Sequence, residues 1–183
     1  MHQTKILFCL VLTICGLVHC EYLTHSEAKR RLGNAGISIK EHRPSCTDRT
    51  NKDCTSLDNV RSETIGWLIN FKRVAIYDGR QCTFIVTGGT EAGHGGGGKN
   101  THAGGYKIDL RLNTCLDNFI QSGSKNRRNA YFRYVKDVTL RYNRTSFYKA
   151  PKYQSGSGAF LLREHNHWDA LYPENPVTNW GRG

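Results

Sequence analysis

The chain has 183 residues, 26 Lys+Arg against 15 Asp+Glu, a formal net charge of +11, and seven Cys. That length is enough to enclose a sizeable core in one domain, and 38% hydrophobic with 10% aromatic content excludes a disordered tail. The charge invites a nucleic-acid reading, since basic proteins neutralise phosphates; the compartment decides whether such a partner is met.

Residues 1–20, MHQTKILFCLVLTICGLVHC, place Lys5 ahead of a nearly unbroken apolar run of 13 residues from Ile6 to Val18. This is the length of a signal-peptide core and falls short of the ~20 residues a spanning helix needs. Val18 and Cys20 suit the positions before a cleavage site, so cleavage before Glu21 is expected. The rival, a lipoprotein Cys at position 20, is disfavoured because Leu17-Val18-His19 lacks the small residues that precede such a Cys. A secreted, extracellular protein is the expectation, with no membrane span and no nucleic-acid partner.

Removing the leader leaves 25 basic against 15 acidic residues and four Cys: Cys46, Cys54, Cys82 and Cys115. Four Cys in an oxidising compartment imply two disulfides with three possible connectivities. Cys46–Cys54 would close a polar loop, and Cys82–Cys115 would tie a strand to a helix start. These Cys contain no C-x₂-C pair, which argues against a zinc site built from them.

In chain order, Ser26 followed by EAKRRL reads as a capped helix ended by Gly33. Residues 41–55 are polar and turn-rich. Ser56 is a candidate cap for a second helix carrying Leu57, Val60, Ile65, Leu68 and Ile69 on roughly one face. Residues 82–87 and the alternating run 106–112 read as strands, with a short helix through Leu116, Phe119 and Ile120 between them and the later strands. Further strands are expected at 131–135, 138–142, 159–162 and 168–172, and a surface tail from Pro173. The class is α+β, with N-terminal helices packed on a mostly antiparallel, largely hairpin-paired sheet. Asn143-Arg-Thr145 is the one glycosylation sequon.

Two segments concentrate metal-competent side chains. In THAGGYKID, His102 and Asp109 flank a Gly104-Gly105 turn that leads into a strand, so an imidazole and a carboxylate can converge. In EHNHWD, Glu164, His165, His167 and Asp169 lie between two predicted strands. A catalytic zinc needs three protein ligands and an open position for water, with a carboxylate nearby to take that water's proton. His102, Asp109 and one His of the second segment could supply the ligands and leave Glu164 as base. Asp169 could orient a ligating His through its other ring nitrogen or simply sit at a strand edge.

These elements resemble the zinc D-alanyl-D-alanine carboxypeptidases and dipeptidases, which share their fold with phage L-alanyl-D-glutamate endopeptidases and the Hedgehog signalling domain. The pattern S-x-H-x₂-G-x-A-x-D followed by E-x₂-H falls on His102, Gly105, Asp109, Glu164 and His167. The runs FIVTGGTEAGH and THAGGYKID, with the Cys46…Cys54-Thr-Ser-Leu element, also look like secreted fungal and animal members of that superfamily. The resemblance spans roughly residues 44–172 and implies a single zinc metallopeptidase-like domain over 21–183. It implies one zinc held by His102, Asp109 and His167, with Glu164 as general base and a peptidoglycan stem peptide as substrate.

The departures matter. Asn100 replaces the Ser and Lys107 replaces the small Ala. Glu91 stands where the bacterial enzymes carry an Arg that polarises the substrate carbonyl and stabilises the oxyanion. Glu91, His94 and Asp169 are therefore candidates for supporting or substrate-facing roles. A non-catalytic zinc module recognising glycan or a receptor is the alternative. The run from Gly93 to Lys99 imitates a phosphate-binding loop but is followed by Asn100 where Ser or Thr is required, and the HNH letters of 165–167 do not make a nuclease unit. Between 125 and 152, nine cations face a single acid, Asp137, interleaved with aromatics. That segment suits either solvated hairpins or docking on an anionic wall polymer.

Overall fold

Thr24, rather than Ser26, starts the first helix. In the computed structural model, which describes residues 22–40, 44–94, 99–125 and 131–178, helix α1 (His25–Asn34) follows strand β1 (Tyr22–Leu23). Thr24 Oγ1 accepts from the Glu27 N–H at 3.3 Å, an arrangement that satisfies one of the first-turn donors. The helix continues through Gly33 and stops at Asn34. Gly36 adopts φ 70° just beyond, the left-handed conformation that ends helices and suits glycine. The leader and its cleavage point, with Arg127 and Arg128 of the basic segment, lie outside the described residues.

After β2 (Ile37–Ile39), short strands β3 (Ser45–Cys46), β4 (Thr55–Ser56) and β5 (Val60–Arg61) precede α2 (Ser62–Val74). Ser56 therefore does not cap α2. Its N–H is taken by Glu91 and its carbonyl by Thr90, and Asn59 turns the chain at φ 61°. Leu57 and Val60 are fully buried, so their spacing reported burial and not a helix. The hairpin of β6 (Ile76–Tyr77) and β7 (Arg80–Gln81) leads to β8 (Phe84–Gly88), β9 (Lys107–Arg111) and α3 (Thr114–Lys125). The last four strands are β10 (Phe132–Arg141), β11 (Phe147–Ser155), β12 (Phe160–Arg163) and β13 (His167–Leu171).

Seven strands form one sheet in the order β10-β11-β12-β13-β9-β8-β2, antiparallel except for β2 against β8. The α+β class is thus observed, with three helices among the described residues, and α3 follows β9 as the order of the sequence signals implies. The segments expected as two strands, 131–135 and 138–142, are one strand with a bulge at Val135. Strand β11 is absent from the sequence expectation because Lys149, Pro151 and Lys152 break its apolar alternation. β12 pairs only with Lys152–Gln154, so Pro151 sits where that side of the strand is open and its missing N–H is tolerated.

The alternation of β9 and β13 divides the sheet. Ile108, Leu110, Trp168 and Ala170 point into one buried cluster with Ile65, Leu68 and Phe71 of α2 and Leu116 and Ile120 of α3. Asp109, His167 and Asp169 belong to the opposite face, since successive strand residues alternate. Both expected disulfides form, Cys46–Cys54 and Cys82–Cys115, with Cα separations of 6.0 and 5.4 Å. They point to an oxidising compartment. Among the described residues no helix is long and apolar enough to cross a membrane.

His25, which sequence reasoning did not single out, is a structural imidazole. Its Nδ1 accepts the buried Leu57 N–H at 3.0 Å and its Nε2 meets Ser45 Oγ at 3.2 Å. Burial and nearby Lys29 push it below its ordinary value of 6.5, against the pull of Asp58. The unfolded chain thus binds a proton near pH 6.5 that the folded chain refuses. This contribution to stability is complete above pH 6.5 and declines as the pH falls toward the lower folded value. His25→Ala orphans the Leu57 N–H and should cost about 1–3 kcal/mol. It should also flatten the acid limb, read by denaturant midpoints at pH 7.5 and 5.5.

Candidate metal centre

Asp109 is the hub. It lies on the helix-free face of β9, 5% exposed, with Gly88 of β8 on one side and Asp169 of β13 on the other. A Cβ at Gly88 would stand 2.4 Å from Asp109 Oδ2 and 2.9 Å from His94 Cε1. Only a residue without a side chain leaves room for the group, and Gly88→Ala is expected to abolish metal uptake while far-UV circular dichroism stays native.

His102 reaches Asp109 from the loop between β8 and β9. The Gly105 N–H bonds the His102 carbonyl at 2.8 Å, and Tyr106 N–H bonds Thr101 O at 3.1 Å. Gly105 sits at φ 79° with Asn59 O only 2.6 Å from where a Cβ would be, so this turn requires glycine. His102 Nδ1–H donates to the Gly89 carbonyl at 2.7 Å, and Nε2 lies 3.2 Å from Asp109 Oδ1. The disulfide loop braces the same region: Arg49 donates to the Ala103 carbonyl, and the Arg49 carbonyl accepts from Ala92 N–H.

His94 stacks on His102 with ring centroids 3.9 Å apart. Its Nε2 lies 3.1 Å from Glu91 Oε1 and its Nδ1 lies 3.6 Å from Asp109 Oδ2. Glu91 is buried, and its Oε2 accepts the Ser56 and Gly89 N–H groups, each at 2.9 Å. Burial opposes its ionisation, but the His94 bond and these amide donors hold the carboxyl below its ordinary value. Glu91 fastens His94 and the chain after β8.

His167 approaches from β13. Its Nδ1 pairs with Asn166 Oδ1 at 2.7 Å, and its Nε2 lies 3.4 Å from Asp109 Oδ1 and 3.8 Å from Glu164 Oε2. Glu164 stands in the turn between β12 and β13, its N–H bonded to the His167 carbonyl at 2.9 Å. Burial pushes its carboxyl above the ordinary value despite His167, with Asp169 and Asp109 adding to the rise. His165 is exposed, lies against Tyr142 and donates its N–H to Tyr148. Among the described residues Asp169 bonds no imidazole; its Oδ2 accepts Lys107 Nζ at 2.6 Å.

A common logic runs through the three imidazoles. Each outer nitrogen meets an oxygen acceptor, Gly89 O, Glu91 Oε1 or Asn166 Oδ1, which leaves the inner nitrogen turned to Asp109. All three inner nitrogens lie 3.2 to 3.6 Å from the Asp109 carboxylate. Such a cluster calls for a positive charge among its members, a proton on an imidazole or a metal ion. Asp109 Oδ1 is buried with no hydrogen-bond partner. Against burial, His102 is pushed up and Asp109 pushed down, each by the other. Both shifts express the same demand for positive charge.

His94, His102 and Asp109 form a buried group that could hold a metal ion, their ligand atoms all within 4.8 Å of one another. Outer-nitrogen hydrogen bonds are the usual support of metal-bound imidazoles, and the donor set of imidazoles and a carboxylate suits zinc. His94 joins the group more intimately than its sequence position beside a glycine run suggested; the Glu91-x₂-His94 spacing was the available signal. Comparisons with protein-family models, curated proteins and solved structures find no match.

Proposed function

We propose that the protein is a secreted zinc metallopeptidase that hydrolyses a peptide bond in bacterial peptidoglycan stem peptides, of the D-Ala–D-Ala carboxypeptidase or L-Ala–D-Glu or D,D-endopeptidase type. The observation that carries this reading is the convergence of imidazole nitrogens on the buried Asp109 carboxylate, whose Oδ1 has no hydrogen-bond partner, with Glu164 3.8 Å from one of them. His102 and His167 face Oδ1 and His94 faces Oδ2; the resemblance assigns His102, Asp109 and His167 as ligands, with His94, which completes the compact group with His102 and Asp109, stacked beside them. Zinc held there supplies an acidified water and a Lewis acid for the scissile carbonyl.

The chain's own residues do the rest. Glu164, poised upward by burial, accepts the proton of the attacking water and passes it to the leaving amine. Gly89 O and Asn166 fix the tautomers of His102 and His167, and Glu91 fixes that of His94. The turn holding Glu164 is pinned to His167 by a backbone hydrogen bond, so base and ligand keep one spacing. Digestion of purified peptidoglycan fragments followed by mass spectrometry tests the reading. Cleavage that stops with chelator and returns with zinc supports it; intact fragments at every metal load refute it.

One observation favours the second reading, a non-catalytic zinc module that binds glycan or a receptor. Glu91 replaces the Arg, and the nearby Lys107 is committed to Asp169, so the carbonyl would rely on the metal alone. In that case metal removal weakens ligand binding and substitution of Glu164 does not.

A further inference from the structure

The strand register draws a line from the metal group into the basic hairpin. Gly88, Asp109, Asp169, Leu162, Lys152 and Lys136 are successive cross-strand partners over β8, β9, β13, β12, β11 and β10. Directly opposed residues share a face, so this single row carries the Asp109 carboxylate at one end and two ammonium groups at the other. The bulge at Val135 sets the register that brings Lys136 opposite Lys152.

Arg133, opposite Gln154 on the same face, is committed to Gln154 by two hydrogen bonds but keeps its charge; Arg141 bonds the carbonyls of Asn143 and Arg144 at the turn, and Arg163 of β12 pairs with Asp117. Lys149, paired with Thr139, alternates onto the other face. Lys136 and Lys152 have no ion-pair partner among the described residues. Lys152 is half-buried over the Phe160 ring at 4.2 Å. Like charges directly opposed on a sheet repel, and this pair is left uncompensated beside the apolar Leu162.

We propose that Lys136 and Lys152 form a carboxylate-binding subsite that seats an acidic group of the peptide substrate, an inference that rests on the peptidase reading above. A compact pair of ammonium groups matches one carboxylate better than an extended polymer, which would need charge spread along the ribbon. Burial, Lys136 and Lys107 together push the Lys152 ammonium below its ordinary value, against Asp169, and a bound anion relieves that. Three strand spacings separate Lys152 from Asp109, about 14 Å of backbone. With the length of the lysine stems, the acid falls about three residues or fewer from the scissile bond.

The test uses the zinc-loaded full mature chain carrying Glu164→Gln, so that binding is read without hydrolysis. The probes are L-Ala-γ-D-Glu-L-Lys-D-Ala-D-Ala with a free glutamate α-carboxylate and the same peptide with that group amidated. Calorimetry should show the free acid binding at least tenfold tighter than the amide. K152Q or K136Q should erase that preference while leaving the amide's Kd unchanged, and K149Q should change neither. A preference that survives both substitutions overturns the subsite, as does equal loss for both peptides. Competition by poly(glycerol phosphate) as strong as that by the acid peptide assigns the lysines to wall polymer and also overturns it. In a parallel assay, hydrolysis by the unsubstituted protein reports on the peptidase reading: absent cleavage with intact acid preference refutes that reading and leaves the subsite standing.

Discussion

Glu164→Gln is expected to reduce turnover of stem peptides by about 10²–10⁴-fold while leaving the metal in place. Glutamine keeps the shape and the turn but cannot accept the water's proton. Glu164 is assigned as base and not as a ligand, and its carboxylate is 3.8 Å from His167 Nε2. Metal content should therefore match the unsubstituted protein. Turnover by mass spectrometry and metal by elemental analysis, on the same preparation, separate the two effects. Turnover within a few-fold of the starting protein would remove Glu164 from the reaction.

Asp109→Asn is expected to abolish metal binding at micromolar zinc. Asparagine fills the same space, but it removes the carboxylate charge that the inner nitrogens of three imidazoles face and turns one oxygen into an N–H₂ donor. Glu91→Gln touches only His94, the stacked neighbour of the ligand His102, and should weaken affinity by less than the roughly 10–100-fold expected when a ligand loses its own outer partner. The order matters more than either value. If Glu91→Gln lost the metal and Asp109→Asn kept it, the hub of the site would lie at the wrong residue. Competition titrations against a chromogenic chelator give both affinities.

Much of the site was legible because its chemistry is short-range in sequence. His102 and Asp109 flank one glycine turn, Glu164 and His167 flank the His165-Asn166 turn, and alternation alone puts Asp109 opposite the core-facing Ile108 and Leu110. The disulfides were legible for a different reason: four Cys remain after the leader, and each bridge joins segments whose roles the pattern already suggested, one of them across a separation of 33 residues. His94 was harder to place. Its partner Glu91 is three residues away, but the contact with Asp109 depends on a backbone turn that brings two rings into a stack, and nothing in the letters specifies that.

The fold misreadings share a cause. Leu57 and Val60 mimic helical spacing because buried turn residues are apolar too, and Ser26 looked like a cap because Thr24 lay one step outside the charged run. Strand β11 was hidden by Lys149, Pro151 and Lys152, which interrupt its apolar alternation on both faces of the ribbon. That ribbon changed the meaning of the net charge. The basic segment read as a diffuse patch in sequence, whereas the register leaves two of its lysines uncompensated in the row that ends at Asp109.

A zinc-edge anomalous difference map of crystals grown from zinc-loaded protein tests the central claim most directly. The account predicts one strong peak in contact with His102 Nε2, Asp109 and His167 Nε2, with Glu164 beside the open side of the ion. A peak held without His167, or no peak at Asp109 at saturating zinc, would contradict it.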